Sequence, residues 1–168
     1  MSSPSRIVRF YLGSEPDDEG RTFAGLWQWT RSQLDAWPTA LDSLFPIPEG
    51  SFLGGGIPLD ADDISQFKSN PTLQANARKS FAWFASIIGL SIDADGTIAE
   101  GPSFSENFDP ANSVTVRRIR RVLWFLKAIG FDDDARRLLD WLDAETVNGQ
   151  FPRTVMAFWR KRIGPASD

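Results

Sequence analysis

The chain contains neither cysteine nor histidine. Without cysteine there can be no disulfide, no thiolate nucleophile, no iron–sulfur cluster and no cysteine-ligated zinc. Without histidine the commonest general base at neutral pH and the commonest metal ligand are gone as well. Any catalysis would fall to carboxylates, lysine, arginine, hydroxyls, the single tyrosine Tyr11, backbone dipoles or the shape of a cavity. Long apolar runs are also missing: none approaches the eighteen residues of a membrane-spanning helix. The opening MSSPSRIVRFYLG lacks the apolar stretch and small-residue cleavage site of a signal peptide, so a cytoplasmic location is expected. A net charge of −4 provides no global attraction to nucleic acid, and no nucleic-acid partner is expected.

The residues present describe an ordinary globular chain with an unusual aromatic content. Of 168 residues, 42% are hydrophobic and 24% charged, which suits one compact domain over residues 1–168. Helical punctuation recurs along it. Thr30 and Gln33 form a capping-box pattern before Leu34, Trp37, Leu41, Leu44 and Phe45, with Pro38 expected to kink or restart the helix. Asp60 can cap a short helix carrying Ile64 and Phe67, and Asn70-Pro71 reads as N-cap plus first-turn proline. The helix that follows presents Leu73, Ala77, Phe81, Phe84, Ala85 and Ile88 on one face and stops at Gly89. SIDADGTI reads as a small hairpin or tight turn, and AEGPSFSENFDPANS as a long loop. Three further helices follow, with Val116, Ile119, Leu123 and Leu126, then Ala135, Leu138, Leu139 and Leu142, then Val155, Met156, Trp159 and Ile163 facing inward. The expectation is an all-α fold of about six helices around a Trp/Phe-rich core, with one small hairpin or turn and long loops.

Several motifs resemble chemical sites, and most fit a plain structural role better. DADGTIAEG fails as a calcium loop, because Ser91 takes the first ligand position and Pro102 stands where the bidentate glutamate belongs. Asp132, Asp133 and Asp134 fit a helix N-terminus, and Arg136 and Arg137 occupy the places a second metal-binding acid would need. No metal and no cofactor is therefore expected. LGGGIP lacks the Gly-Lys-Ser/Thr of a phosphate loop. RRIRR places Arg117, Arg118, Arg120 and Arg121 on the face opposite Ile119, where Arg117 and Arg121 could grip an anionic group; a solvated face is the plainer reading. Seven tryptophans and thirteen phenylalanines are mainly core material, but Trp27, Trp37, Trp83, Phe84 and Trp124 could instead line an apolar ligand pocket between helices. PDDEGRTFAGLWQW, residues 16–29, combines turn chemistry with a helix start, its acids able to cap or to favour the dipole of that helix. With histidine absent, Tyr11, Asp17, Asp18, Glu19 and Asp42 are the candidates for moving a proton.

The order of these segments resembles the N-terminal domain family of the opioid growth factor receptor. The resemblance rests on RFYLGSEPDDEGRTFAGLWQW, LDAWPTALDSLFPIPEGS, LDADDISQFKSNPTLQANARKSFAWFASIIGL and VRRIRRVLWFLKAIGFDDDARRLLDWL, which together cover nearly the whole chain. Two polar-aromatic clusters of the family are replaced, one by Pro38, Ala40, Leu41, Asp42 and Ser43, the other by Val114, Thr115 and Val116. The resemblance implies an all-α domain that binds a small peptide, without established catalytic residues. The leading expectation is thus a binding or interaction module for a peptide or small apolar ligand. The alternative, motivated by the tryptophan-rich interior and the lost polar clusters, is a cofactor-independent cyclase or isomerase of an apolar metabolite.

Overall fold

A computed structural model describes residues 3–51, 56–146 and 152–165. The chain divides into two compact units, residues 1–84 and 85–168. In the first unit the helices are α1 (Arg6–Tyr11), α2 (Phe23–Leu26), α3 (Arg31–Ala36), α4 (Ala40–Leu44), α5 (Ala61–Ser69) and most of α6 (Pro71–Ile87). The second holds strands β1 (Leu90–Ile92) and β2 (Ile98–Glu100), then α7 (Phe104–Asn107), α8 (Ser113–Ala128), α9 (Asp132–Thr146) and α10 (Arg153–Ile163). The fold is mostly helical with one small antiparallel ribbon, in which Leu90 pairs with Glu100 and Ile92 with Ile98.

Helix ends in the first unit are fixed by side-chain caps. The Ser5 hydroxyl accepts from the Val8 N–H at 3.2 Å, which starts α1, a helix the periodicity did not single out. Thr22 caps α2, and Thr30/Gln33 and Asp60/Asp63 close reciprocal capping boxes on α3 and α5. The Asn70 side-chain oxygen Oδ1 accepts from Thr72 and Leu73 N–H at 2.9 and 3.3 Å, so Asn70-Pro71 opens α6 as expected. Pro38 splits the stretch after Thr30 into α3 and α4, and this changes one expected contact. Trp37 leaves the helix with non-helical backbone (φ −132°, ψ 68°) instead of following Leu34 inward, and it is 61% exposed. The core of this unit is aromatic: Tyr11 meets Phe23 and Phe67 at centroid distances of 4.4 and 4.9 Å, and Phe45 meets Phe84 at 5.8 Å. The Tyr11 hydroxyl donates to the Leu44 carbonyl, and Asn76 donates to the Tyr11 carbonyl at 2.7 Å, tying α1 to α4 and α6.

In the second unit α8, α9 and α10 pack on one another around Ile119, Leu123, Leu139, Leu142 and Trp159, all at most 1% exposed. The buried face of α8 is rotated from its expected position. Thr115 and Arg118 are buried with Ile119 and Val122, whereas Val116 is half-exposed, so the four arginines do not share one open face. The stretch expected to be one long loop contains the last two residues of β2 and the short helix α7. Phe104 and Phe108, one turn apart, stack at 4.9 Å and present their edges to Trp141, which is enough apolar contact to fix a single turn. Ten helices among the described residues, against about six expected, come from the break at Pro38 and from such one- or two-turn pieces.

Candidate functional site

The five candidate proton-moving residues do not share one environment. Asp17, Asp18, Glu19 and Asp42 line a single open cleft in the first unit, together with Arg6, Ile7, Phe10, Arg21, Thr39, Ser43, Pro46 and Ile57. Its volume is about 490 Å³, counting the part open to solvent. The wall is built from α1, the turn before α2, and α4. Tyr11 stands behind it, fully buried, with its hydroxyl engaged by Leu44. Burial pushes the Tyr11 phenol well above its ordinary value, only partly offset by the Ser80 hydroxyl, which also accepts from the Trp27 indole at 3.1 Å.

Asp17 organises the turn. Its Oδ1 accepts from the Glu19 and Arg21 backbone N–H at 3.0 and 2.9 Å, and its Oδ2 from Arg21 Nε and Ser43 Oγ, both at 2.7 Å. The peptide groups close around it, with Asp17 N–H donating to the Arg21 carbonyl at 2.9 Å and Gly20 in the left-handed region at φ +77°. Burial alone would raise the Asp17 pKa. The Arg21 backbone bond, the Ser43 hydroxyl and the Arg21 guanidinium outweigh it and hold the carboxyl below the ordinary carboxylate range. The acids therefore do not cap α2, where Thr22 Oγ1 accepts the Gly25 N–H. They brace the approach to it.

The remaining carboxylates are more open. Asp18 pairs with Arg6, and Glu19 pairs with Arg21 at 3.3 Å while accepting from Thr39 Oγ1 at 2.8 Å. The Asp18 and Glu19 side chains are 51% and 46% exposed, against 7% for Asp17 and 13% for Arg21. Ion pairs this exposed contribute at most about 1 kcal/mol, so a ligand can displace them cheaply, while the Asp17–Arg21 pair stays as framework. Four carboxylates face two guanidinium groups across the cleft. Ile7, Phe10, Pro46 and Ile57 provide apolar wall, with Ile57 42% exposed.

None of the expected ligand-binding residues lines this cleft. Phe84 is core, and Trp83 is buried with its indole donating to the Trp29 carbonyl at 3.1 Å. Trp27 is half-buried beneath Lys79, whose ammonium lies 5.3 Å from the ring centroid. Trp37 is on the surface. Trp124 is buried in the second unit, with Arg162 4.6 Å over its ring and Phe158 beside it at 6.0 Å. Arg117 is exposed and Arg121 half-buried on α8. Among the described residues no group of three or more acids is placed to hold a metal ion. Asp132, Asp133 and Asp134 pair instead with Lys127, Arg136 and Arg137. The Asp93–Thr97 turn is closed by its own backbone under Arg137. Residues 52–55, which include most of the glycines of LGGGIP, lie outside the described residues.

Arg6, Arg21, Thr39 and Ser43 are the polar cleft residues that sequence reasoning missed, along with the apolar Ile7, Phe10, Pro46 and Ile57. Only Arg21 had a local signal, four positions after an aspartate that opens a turn. No helix of the described residues is long and apolar enough to cross a membrane. No model of a known protein family, no curated protein and no solved structure matches this chain.

Proposed function

We propose that the chain is a binding module for a peptide or small ligand, with the carboxylate-lined cleft of the first unit as its site. The observation that carries this reading is the convergence of Asp18, Glu19 and Asp42 with Ile7, Phe10, Pro46 and Ile57 around one open cleft. Such a wall favours an occupant that presents a basic group beside an apolar body. The resemblance to the opioid growth factor receptor domains, with their small-peptide ligands, points the same way. Proton-transfer chemistry has weaker support. A carboxyl acid needs a raised pKa to stay protonated near neutrality, whereas Asp17 is held ionised by four hydrogen bonds and Tyr11 is sealed away from the cleft.

The test uses three probes of one shape, phenylbutylamine, phenylbutanol and phenylbutyrate, followed by backbone amide shifts of the full chain. The amine should move the signals of Glu19, Thr39, Ser43 and Ile57. Its affinity should fall as salt is added and drop about tenfold or more in a variant carrying D18N, E19Q and D42N. Equal response to the three probes, or shifts confined to other surfaces, would overturn the assignment.

A further inference from the structure

The last helix of the second unit presents the chemistry that the cleft of the first unit favours. Phe158, on α10, is 57% exposed, the most exposed large hydrophobic side chain of that unit among the described residues. Its ring lies 6.0 Å from that of the buried Trp124, over which Arg162 also rests at 4.6 Å. α10 holds four cations, Arg153, Arg160, Lys161 and Arg162, and no acid. Arg160 is committed to Asp140 and Asp143 at 2.7 and 3.1 Å. Lys161 and Arg153 are exposed and have no ion-pair partner among the described residues.

Lys161 stands three positions after Phe158, so the two side chains are neighbours on one helical face. Together they offer a phenyl ring and an ammonium on a four-carbon stem. Thr154 and Ala157, also exposed and small, keep that face low around the ring. The cleft offers the opposite surface. Asp18 and Glu19 are about half exposed in ion pairs that are cheaply displaced, Asp42 stands with them, and an apolar wall completes the lining. At about 490 Å³, counting the part open to solvent, it has room for a ring and an ammonium together. Nucleic acid would also attract the cations of α10, but a net charge of −4 opposes it.

We propose that the partner of the cleft is α10 of a second copy of this chain: Phe158 seats on the apolar wall, and Lys161 pairs with Asp18, Glu19 and Asp42. This names the occupant of the cleft and so rests on the reading of the cleft as a binding site. The two surfaces are different, so the contact is heterologous. Each copy that gives its helix still has a cleft to fill, and association therefore continues with concentration unless the assembly closes on itself. One aromatic anchor and a few half-exposed charges make a weak contact. Copies that both carry −4 also repel at long range, which about 0.1 M salt damps while leaving contacts within the cleft in place.

Sedimentation of the full chain from about 10 µM to about 1 mM covers the range of such weak contacts. The average mass of wild type should rise with concentration, and excess phenylbutylamine should reverse the rise. A helix variant carrying F158S and K161Q, both at exposed positions, should associate about tenfold or more weakly. A cleft variant carrying D18N, E19Q and D42N should weaken to the same degree. Mixed, the two variants should pair and stop at two copies, because one keeps only its cleft and the other only its helix. With the helix variant isotope-labelled, adding the unlabelled cleft variant should move the amide signals of Glu19, Thr39, Ser43 and Ile57. A wild type that stays monomeric, association that survives in either variant, or mixing shifts away from the cleft would overturn the pairing. If phenylbutylamine still moves the cleft signals in a monomeric chain, the ligand-site reading stands and only its occupant is wrong. Pairing of the mixed variants at the cleft with no response to the amine would instead refute the small-ligand reading and keep the pairing.

Discussion

Replacing Asp17 by asparagine tests whether the wall of the cleft is a preorganised framework. Every position around this carboxylate presents a donor: two backbone N–H groups to Oδ1, and Arg21 Nε with Ser43 Oγ to Oδ2. An amide can offer one oxygen only. In either rotamer its nitrogen must face donors, and only the Ser43 hydroxyl can reverse to accept from it. With its nitrogen at the Oδ2 position, the Arg21 guanidinium loses a charged partner while 13% exposed, keeping Glu19 at 3.3 Å and Thr39 at 3.2 Å as partial substitutes. A hydrogen bond between charged groups contributes about 1.5–3 kcal/mol, and stripping one member of a buried pair costs about 3–5 kcal/mol. The surviving partners bring the expected loss down to about 2–3 kcal/mol. For a chain of this length that is a fall in Tm of about 4–12 °C.

Urea unfolding at neutral pH reads the difference, and its pH dependence checks the cause. The folded pKa of Asp17 is depressed, so the stabilisation is fully present above the unfolded carboxylate value of 3.8. It is lost as pH falls through the lower folded value, and the gap between wild type and D17N should narrow there. A D17N variant within about 0.5 kcal/mol of wild type at neutral pH, the range of ordinary surface changes, would refute the framework role.

Two further outcomes follow from the same physics. Because the chain has one tyrosine, phenolate absorbance reports Tyr11 alone, and it should not appear as pH rises through 10 while the protein stays folded. Phenolate formation at the ordinary value in folded protein would contradict the burial of its hydroxyl against Leu44. Gly89→Ala puts a Cβ 2.8 Å from Phe104 Cα and 3.1 Å from the Ser103 carbonyl oxygen at φ +89°. The left-handed backbone alone costs about 1–2 kcal/mol, so thermal melts should show a loss of at least about 2 kcal/mol.

The parts of the fold legible in sequence are those fixed by local chemistry. The Thr30/Gln33 box, the Asn70-Pro71 start of α6 and the Gly89 stop each depend on residues within one turn, and each is where the pattern put it. The errors arise where a distant contact decides. Trp37 shares helical spacing with Leu34, but Pro38 ends the helix one residue too early for that spacing to matter. In α8 the spacing of aliphatic residues points Val116 inward with Ile119 and Leu123, but the fold buries Thr115 and Arg118 in its place. The turn α7 exists because Phe104 and Phe108 find Trp141 over thirty positions away, a pairing no local window contains.

The candidate site divides in the same way. Without histidine the side chains able to move a proton reduce to a small set of acids and Tyr11, and four of those acids line one cleft, though not by the role their local sequence suggests. A run of acids before a helix reads as dipole compensation, yet Thr22 performs the capping and Asp17 reaches instead to Ser43, twenty-six residues on. That long-range bond places Asp18 and Glu19 opposite Arg6 and Thr39, with their charges only lightly held. A carboxylate saturated by the fold cannot serve a ligand, and one held by a half-exposed ion pair can. The division of labour between Asp17 and its two successors is therefore set by tertiary partners, although the three stand side by side in the chain.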